Sequence, residues 1–266
     1  MKKLFAAILS LTVAAPLAAQ QTKYYILDGD SNNGFIVQNG VLQSTFTVGY
    51  QDSYPSYGLR FNGGNFVVVN RNGTTSEEYN AAGALTGVSH NLGSQELDQI
   101  LDGGTDGTST YSARYGSNPG VYKGDMNFGN QSLLFSLDDT FGVTYGNGSV
   151  WAVTADTLFQ YTTGGALVNA FELSLDGYRP AALAYESATN SLWFGANGTG
   201  ELYNYGLNGT QINHVTVDGL GGNYWAGEMM GGARLDTSVV PEPSTYALMT
   251  AGLLGLGVAS RRRRKV

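Results

Sequence analysis

Residues 141–173, FGVTYGNGSVWAVTADTLFQYTTGGALVNAFEL, have a counterpart in residues 182–217, ALAYESATNSLWFGANGTGELYNYGLNGTQINHVTV. In each, a Trp leads a strand-like stretch and a Tyr closes the next: Trp151 then Tyr161, Trp193 then Tyr205. Each Tyr stands four residues before a Gly (Gly165, Gly209), and each Gly six before an apolar residue (Phe171, Val215). The Tyr-to-Gly step recurs at Tyr79 and Gly83. The Gly-to-Phe step recurs at Gly40 and Phe46, and at Gly129 and Phe135. The marker glycines 40, 83, 129, 165 and 209 are spaced by 43, 46, 36 and 44 residues. Self-similarity at about 40–45 residues, in units made of strands, points to the blades of a propeller.

Local signals agree. Phe35 to Val48 reads as two strands around Asn39-Gly40, and Asn-Gly occurs seven times in the chain. That dipeptide supplies the positive φ angles of a tight hairpin. Ser149-Val150-Trp151-Ala152-Val153 alternates as a half-buried strand does. A small sheet of this kind cannot bury both faces alone, so radial stacking is the stable solution. The pattern therefore predicts an all-β propeller of five blades. Six blades, or a two-sheet sandwich, are the alternatives. The first unit lacks a strand, which Asn223–Met230 at the far end can supply to close the ring. The third unit is irregular. Ser94–Leu101 reads as a short helix capped by Ser94, and Asp102-Gly103-Gly104-Thr105-Asp106-Gly107 reads as loop.

Both ends differ from this body. Lys2, Lys3, an apolar run from Leu4 to Ala15 and small residues near Ala19 form a secretory signal peptide over residues 1–19. The body is then residues 20–236, and residues 237–266 form a separate C-terminal segment. Between 20 and 238 stand seven Lys or Arg against 20 Asp or Glu, a net charge of −13. A surface this acidic repels nucleic acid, whose binding rests on neutralising phosphates, and anionic lipid. With no Cys, the chain has no disulfide framework, thiolate site or cysteine nucleophile.

The C-terminal segment is VVPEPSTYALMTAGLLGLGVASRRRRKV. Ser244 to Ser260 would rise roughly 25 Å as a helix, close to a hydrocarbon core of about 30 Å. Arg261, Arg262, Arg263, Arg264 and Lys265 then stay on the cytoplasmic side as a stop-transfer cluster. The prolines of Val240-Pro241-Glu242-Pro243 hold the preceding stretch extended. This order over residues 239–266 resembles the PEP-CTERM sorting signal of Gram-negative bacteria. The resemblance implies processing by an exosortase, an inner-membrane-anchored precursor, and delivery to the cell surface or an extracellular polysaccharide matrix.

Chemistry in the body is sparse. His90 and His214 are the only histidines and lie in predicted outer strands, with neither a metal-ligand spacing nor a nucleophile motif nearby. Asp28, Asp30 and Asn32 put oxygen ligands at alternate positions, as calcium requires, although the loop departs from an EF-hand; Asp102 and Asp106 form a weaker pair. Tyr50, Tyr54 and Tyr57 cluster in one inter-unit loop, and Tyr178 with Arg179 occupies another. Such loops open on one face of a propeller, where aromatic rings stack on sugars. These features predict a non-enzymatic binding or structural role without an obligatory cofactor. The alternative is a carbohydrate-active hydrolase or lyase using two carboxylates drawn from Asp28, Asp102, Asp125, Asp138, Asp176 and Glu186.

Overall fold

The structure is a computed structural model of the chain, describing residues 22–49, 57–70, 75–92, 100–175 and 177–230. The chain divides into two units, residues 1–233 and 234–266. All described residues belong to the first. The signal peptide, the apolar C-terminal run and its Arg cluster lie outside them, as do residues 94–99 of the expected short helix.

Twenty strands form five four-stranded antiparallel sheets. In chain order they begin with β1 (Lys23–Asp28), β2 (Asn33–Gln38) and β3 (Val41–Thr47). The second sheet holds β4 (Tyr57–Asn62), β5 (Asn65–Asn70), β6 (Thr75–Asn80) and β7 (Leu85–Asn91). The third holds β8 (Ile100–Thr105), β9 (Thr110–Arg114), β10 (Gly120–Gly124) and β11 (Ser132–Ser136). The fourth holds β12 (Gly142–Gly146), β13 (Ser149–Val153), β14 (Thr157–Tyr161) and β15 (Leu167–Glu172). The fifth holds β16 (Pro180–Glu186), β17 (Ser191–Ala196), β18 (Glu201–Gly206) and β19 (Gln211–Thr216). The last strand, β20 (Tyr224–Met230), pairs with β1 and completes the first sheet in the order β20-β1-β2-β3. The body is a five-bladed propeller closed by strands from both ends of the body. The register Tyr25↔Glu228 and Leu27↔Ala226 replaces a covalent link with a backbone ladder.

The sequence period has a structural cause. Each marker glycine sits between the third and fourth strands of its blade; six positions on, in the fourth strand, stands an apolar residue in every blade but the second, which has Ser89 there. Gly83 adopts φ 82 and Gly209 φ 78. A Cβ on Gly83 would meet Phe46 of the preceding blade at 2.4 Å, and one on Gly209 would meet Phe171 at 2.4 Å. The glycine of one blade thus admits the phenylalanine of the blade before it. The repeat therefore records a contact between blades as well as a turn within one. The third blade departs: Gly129 is not in the left-handed region, while its neighbours Phe128 (φ 66) and Asn130 (φ 50) are.

Two expectations for that blade are corrected. Asp102–Thr105 is not loop, and Ile100 and Leu101 do not end a helix, since Ile100–Thr105 is the inner strand β8. Gly103 is crowded by Phe128 and Gly104 by groups at the axis. A Cβ on Gly104 would come within 2.9 Å of the Thr144 backbone and 3.0 Å of Glu228. Glycine in a strand interior marks close approach as well as a turn.

The inner strands β4, β8, β12, β16 and β20 surround the axis. Asp102 of β8, fully buried, joins four of these five strands. Its Oδ1 accepts the N–H of Gly103 (2.9 Å) and of Gly227 in β20 (3.0 Å). Its Oδ2 accepts the N–H of Val143 in β12 (3.0 Å) and of Leu183 in β16 (2.9 Å). The Leu183 bond depends on a bulge, where the register of β16 shifts between Ala181 and Ala184. Ala182 there takes φ 58, which costs a non-glycine residue about 1–2 kcal/mol. The Ala182 carbonyl accepts the Tyr24 hydroxyl.

Asp102→Ala leaves these N–H groups without their acceptor, each costing about 1–3 kcal/mol. The expected loss in denaturant unfolding is at least about 4 kcal/mol. Asp138→Ala, on an exposed loop, should stay within about 0.5 kcal/mol of the parent.

Candidate functional site

Strand direction gives the ring two unlike faces. On the loop face lie the connections between blades and those between second and third strands. The opposite face carries hairpins, together with the start of β1 and the end of β20. Long inter-blade connections can carry variable side chains, whereas two-residue turns such as Asn147-Gly148 cannot. The loop face is therefore where the fold offers a site.

Four blades bring aromatic or cationic side chains together there. Tyr115 follows β9, Phe141 precedes β12, Arg179 precedes β16, and Trp225 is the second residue of β20. Tyr115 and Phe141 stack at 6.2 Å between ring centroids, and Phe141 and Trp225 lie 6.5 Å apart. The Arg179 guanidinium carbon sits 5.3 Å from the Phe141 centroid, within cation–π range. Phe141 is buried at the centre, whereas Tyr115 (42% exposed) and Arg179 face solvent. Gly29 seats Trp225: a Cβ at this position would fall inside the indole ring. The Gly29 N–H donates to the Asn223 carbonyl at 2.7 Å, tying this turn to the approach to β20.

Asp28, Asp30 and Asn32 flank that seat. Asp28 Oδ1 accepts the Asp30 N–H (2.9 Å) and Oδ2 the Ser31 hydroxyl (2.8 Å). Asp30 Oδ2 accepts from the Asn223 amide at 2.9 Å, and the Asn32 carbonyl accepts the Val48 N–H at 2.7 Å. The acids thus brace the turn that carries Gly29. Among the described residues no three His, Cys, Asp or Glu side chains group as metal ligands would. Tyr50 and Tyr54 lie outside the described residues; Tyr57 opens β4 on the loop face. Arg179 joins the aromatic group. Sequence reasoning missed Tyr115, Phe141 and Trp225 as site residues. Their common signal is placement at the loop-face ends of strands, legible only once those ends are known.

The proposed carboxylates are dispersed. Asp125 caps the β10–β11 turn on the hairpin face, accepting the N–H groups of Asn127 (2.9 Å) and Gly129 (2.8 Å). Glu186, at the end of β16, accepts from Trp193 and Thr189. Asp138 is exposed before β12, and Asp176 lies outside the described residues. Neither histidine faces the axis. His90 is in β7 and His214 in β19, where His214 stacks on Tyr203 at 4.3 Å and its Nε2 lies 3.5 Å from Glu201.

Two acids do meet at the axis, Asp102 and Glu228. Glu228 accepts the Thr144 hydroxyl (3.1 Å) and the Met229 N–H (2.9 Å). Burial pushes its carboxyl up to about 8. Burial also raises Asp102, opposed by its N–H donors. Four donors call for a carboxylate, so at neutral pH the proton kept by this pair resides on Glu228. Both acids are closed in by backbone, at 0% and 6% exposure, and serve as internal struts.

These observations define the class: a five-bladed propeller with one aromatic, loop-built face. Solved structures agree on the fold. A structure described as a nidogen/laminin complex aligns with TM-score 0.53 at 9% identity, covering 80% of this chain and 99% of that one. The glutaminyl cyclase of Myxococcus xanthus aligns with TM-score 0.50 at 15% identity, covering 74% of this chain and 75% of that one. At these identities the likeness is one of fold. No curated protein matches this chain in sequence. The sharper finding lies beyond the propeller, where residues 239–264 match the PEP-CTERM protein-sorting motif. The chain is thus a propeller carrying a sorting signal, which implies an exported, membrane-anchored precursor processed by exosortase.

The raised Glu228 carboxyl sets a pH dependence. The unfolded chain releases this proton near 4.5 and the folded chain near 8, so the folded state holds it over the interval between. Its contribution is complete below about 4.5 and lost as pH rises through about 8. The melting temperature should fall by at least about 3 °C between pH 5 and pH 8.5. Glu228→Gln should flatten that slope in the same thermal scans.

Proposed function

We propose that this protein is a surface or matrix component that binds neutral exopolysaccharide through the Tyr115–Phe141–Trp225–Arg179 face, without turning it over. The observation that carries the reading is the convergence of those four side chains from four blades on a body addressed by a sorting motif. Aromatic rings offer flat apolar faces to the C–H faces of sugars. The body charge of −13 between residues 20 and 238 disfavours anionic polymers. A binding role also suits the acids: the axial pair is buried, and the others are spread over both faces. In this reading residues 1–19 are a cleaved signal peptide, residues 237–266 are the processed segment, and the propeller faces the exterior.

Two experiments test this. Trp225→Ala with Arg179→Ala should weaken retention on the host's neutral exopolysaccharide by about tenfold or more and leave the melting temperature within a few degrees. Incubation with that polymer should release no new reducing ends or unsaturated products. Release of either would install the hydrolase or lyase reading instead. Separately, replacing Pro241, Glu242 and Pro243 by Ala should hold the protein in the membrane fraction as the longer precursor. Export at normal size would refute the sorting assignment.

A further inference from the structure

A cleft of about 290 Å³ opens on the hairpin face, between the fifth blade and the first. Val37, Gly40, Glu186, Trp193, Asn213 and Val215 are among the residues lining it. Its origin is visible in the repeat. Strand register makes Val37 (opposite Tyr24) equivalent to Tyr79 (opposite Phe66), Tyr161 (opposite Val150) and Tyr205 (opposite Leu192). Likewise Val215 (opposite Leu202) is equivalent to Phe171 (opposite Leu158) and Phe46 (opposite Gly34). At two other seams these rings meet: Phe46 with Tyr79 at 6.5 Å and Phe135 with Tyr161 at 3.8 Å. At this seam both are valines. A Cβ added to Gly40 would correspondingly stand 3.8 Å from Val215, whereas one on Gly83 or Gly209 would meet phenylalanine at 2.4 Å. The two rings that meet at the first–second and third–fourth seams are both absent from this one.

We propose that this cleft is a second ligand site, taking one or two rings of a neutral sugar. The volume stands at the lower end of the roughly 300–1,000 Å³ of small-ligand pockets. Trp193 supplies an indole held in place by its edge: its Nε1 donates to Glu186 Oε2 at 3.0 Å, and that oxygen also accepts the Thr189 hydroxyl at 2.6 Å. Asn39 and Asn213, both exposed, bring amides to the rim, able to donate to and accept from sugar hydroxyls. Glu186 is the one charged side chain in the lining, and it disfavours anions. This site lies on the face opposite the Trp225 group and does not rest on the reading given to that group.

The test uses the full chain in a detergent without sugar headgroups, titrated with maltose and with cellobiose while tryptophan fluorescence is followed. At least one disaccharide should give a saturable change. Val215→Phe restores the residue found at the equivalent position of other blades. It should raise the melting temperature and weaken binding at least tenfold, and Asn213→Ala should weaken binding without altering the melting temperature. Trp225→Ala, on the other face, should leave this response intact. No saturable response to either sugar, or a response unchanged in Val215→Phe, overturns the proposal. A response lost in Trp225→Ala but kept in Val215→Phe assigns the sugar to the loop face and also overturns it.

Discussion

The Asp102 carboxylate stands where the inner strands converge and accepts N–H groups from β8, β12, β16 and β20. Propeller blades otherwise meet through side chains, which resist sliding only by packing. Here a single group ties backbone to backbone across four blades. A carboxylate buried at the axis would be intolerable alone. Surrounded by four donors, it gathers the inner strands around itself. The bulge at Ala182 and Gly104 of β8 are local concessions to that geometry. Glu228 stands beside it with its carboxyl raised by burial to about 8, so it keeps its proton at neutral pH.

Away from the axis, stability passes from blade to blade through contacts that recur with the sequence period. At the first–second seam Phe46 enters the space left by Gly83 and meets Tyr79; Phe171 likewise faces Gly209, and Phe135 stacks on Tyr161. The seam between the fifth and first blades differs. It is one of the two seams of the closing sheet β20-β1-β2-β3, whose strands come from both ends of the body. There the backbone ladder of β1 and β20 supplies the closure, and the side-chain filling is reduced to valines. The same departure that loosens the seam creates the cleft.

The two faces divide the labour. The hairpin face is built from short turns and receives both ends of the body. The loop face has long connections, and it is there that Tyr115, Phe141, Arg179 and Trp225 converge. The C-terminal sorting motif implies where the protein goes, and the loop face is where the fold gathers its aromatic group. Neither property is contained in the other, which is why a chain can be explicit about its address while its body shares only a fold with solved structures.

By itself the sequence determined the blade number, the closure by Asn223–Met230, the outer positions of His90 and His214, and the sorting motif. These rest on spacing, turn chemistry and contiguous pattern, all local along the chain. The tertiary structure alone decided the rest. Asp102-Gly103-Gly104 carries the composition of a loop, and only the crowding of five strands makes it a strand with an axial hub. Phe141, Trp225 and Tyr115 are distant in sequence and meet because strand ends converge on one face. Val215 and Phe171 are alike as apolar residues in a repeat. Their difference became a cleft only once register showed what each should fill, since volume at a seam is shared between segments far apart in the chain.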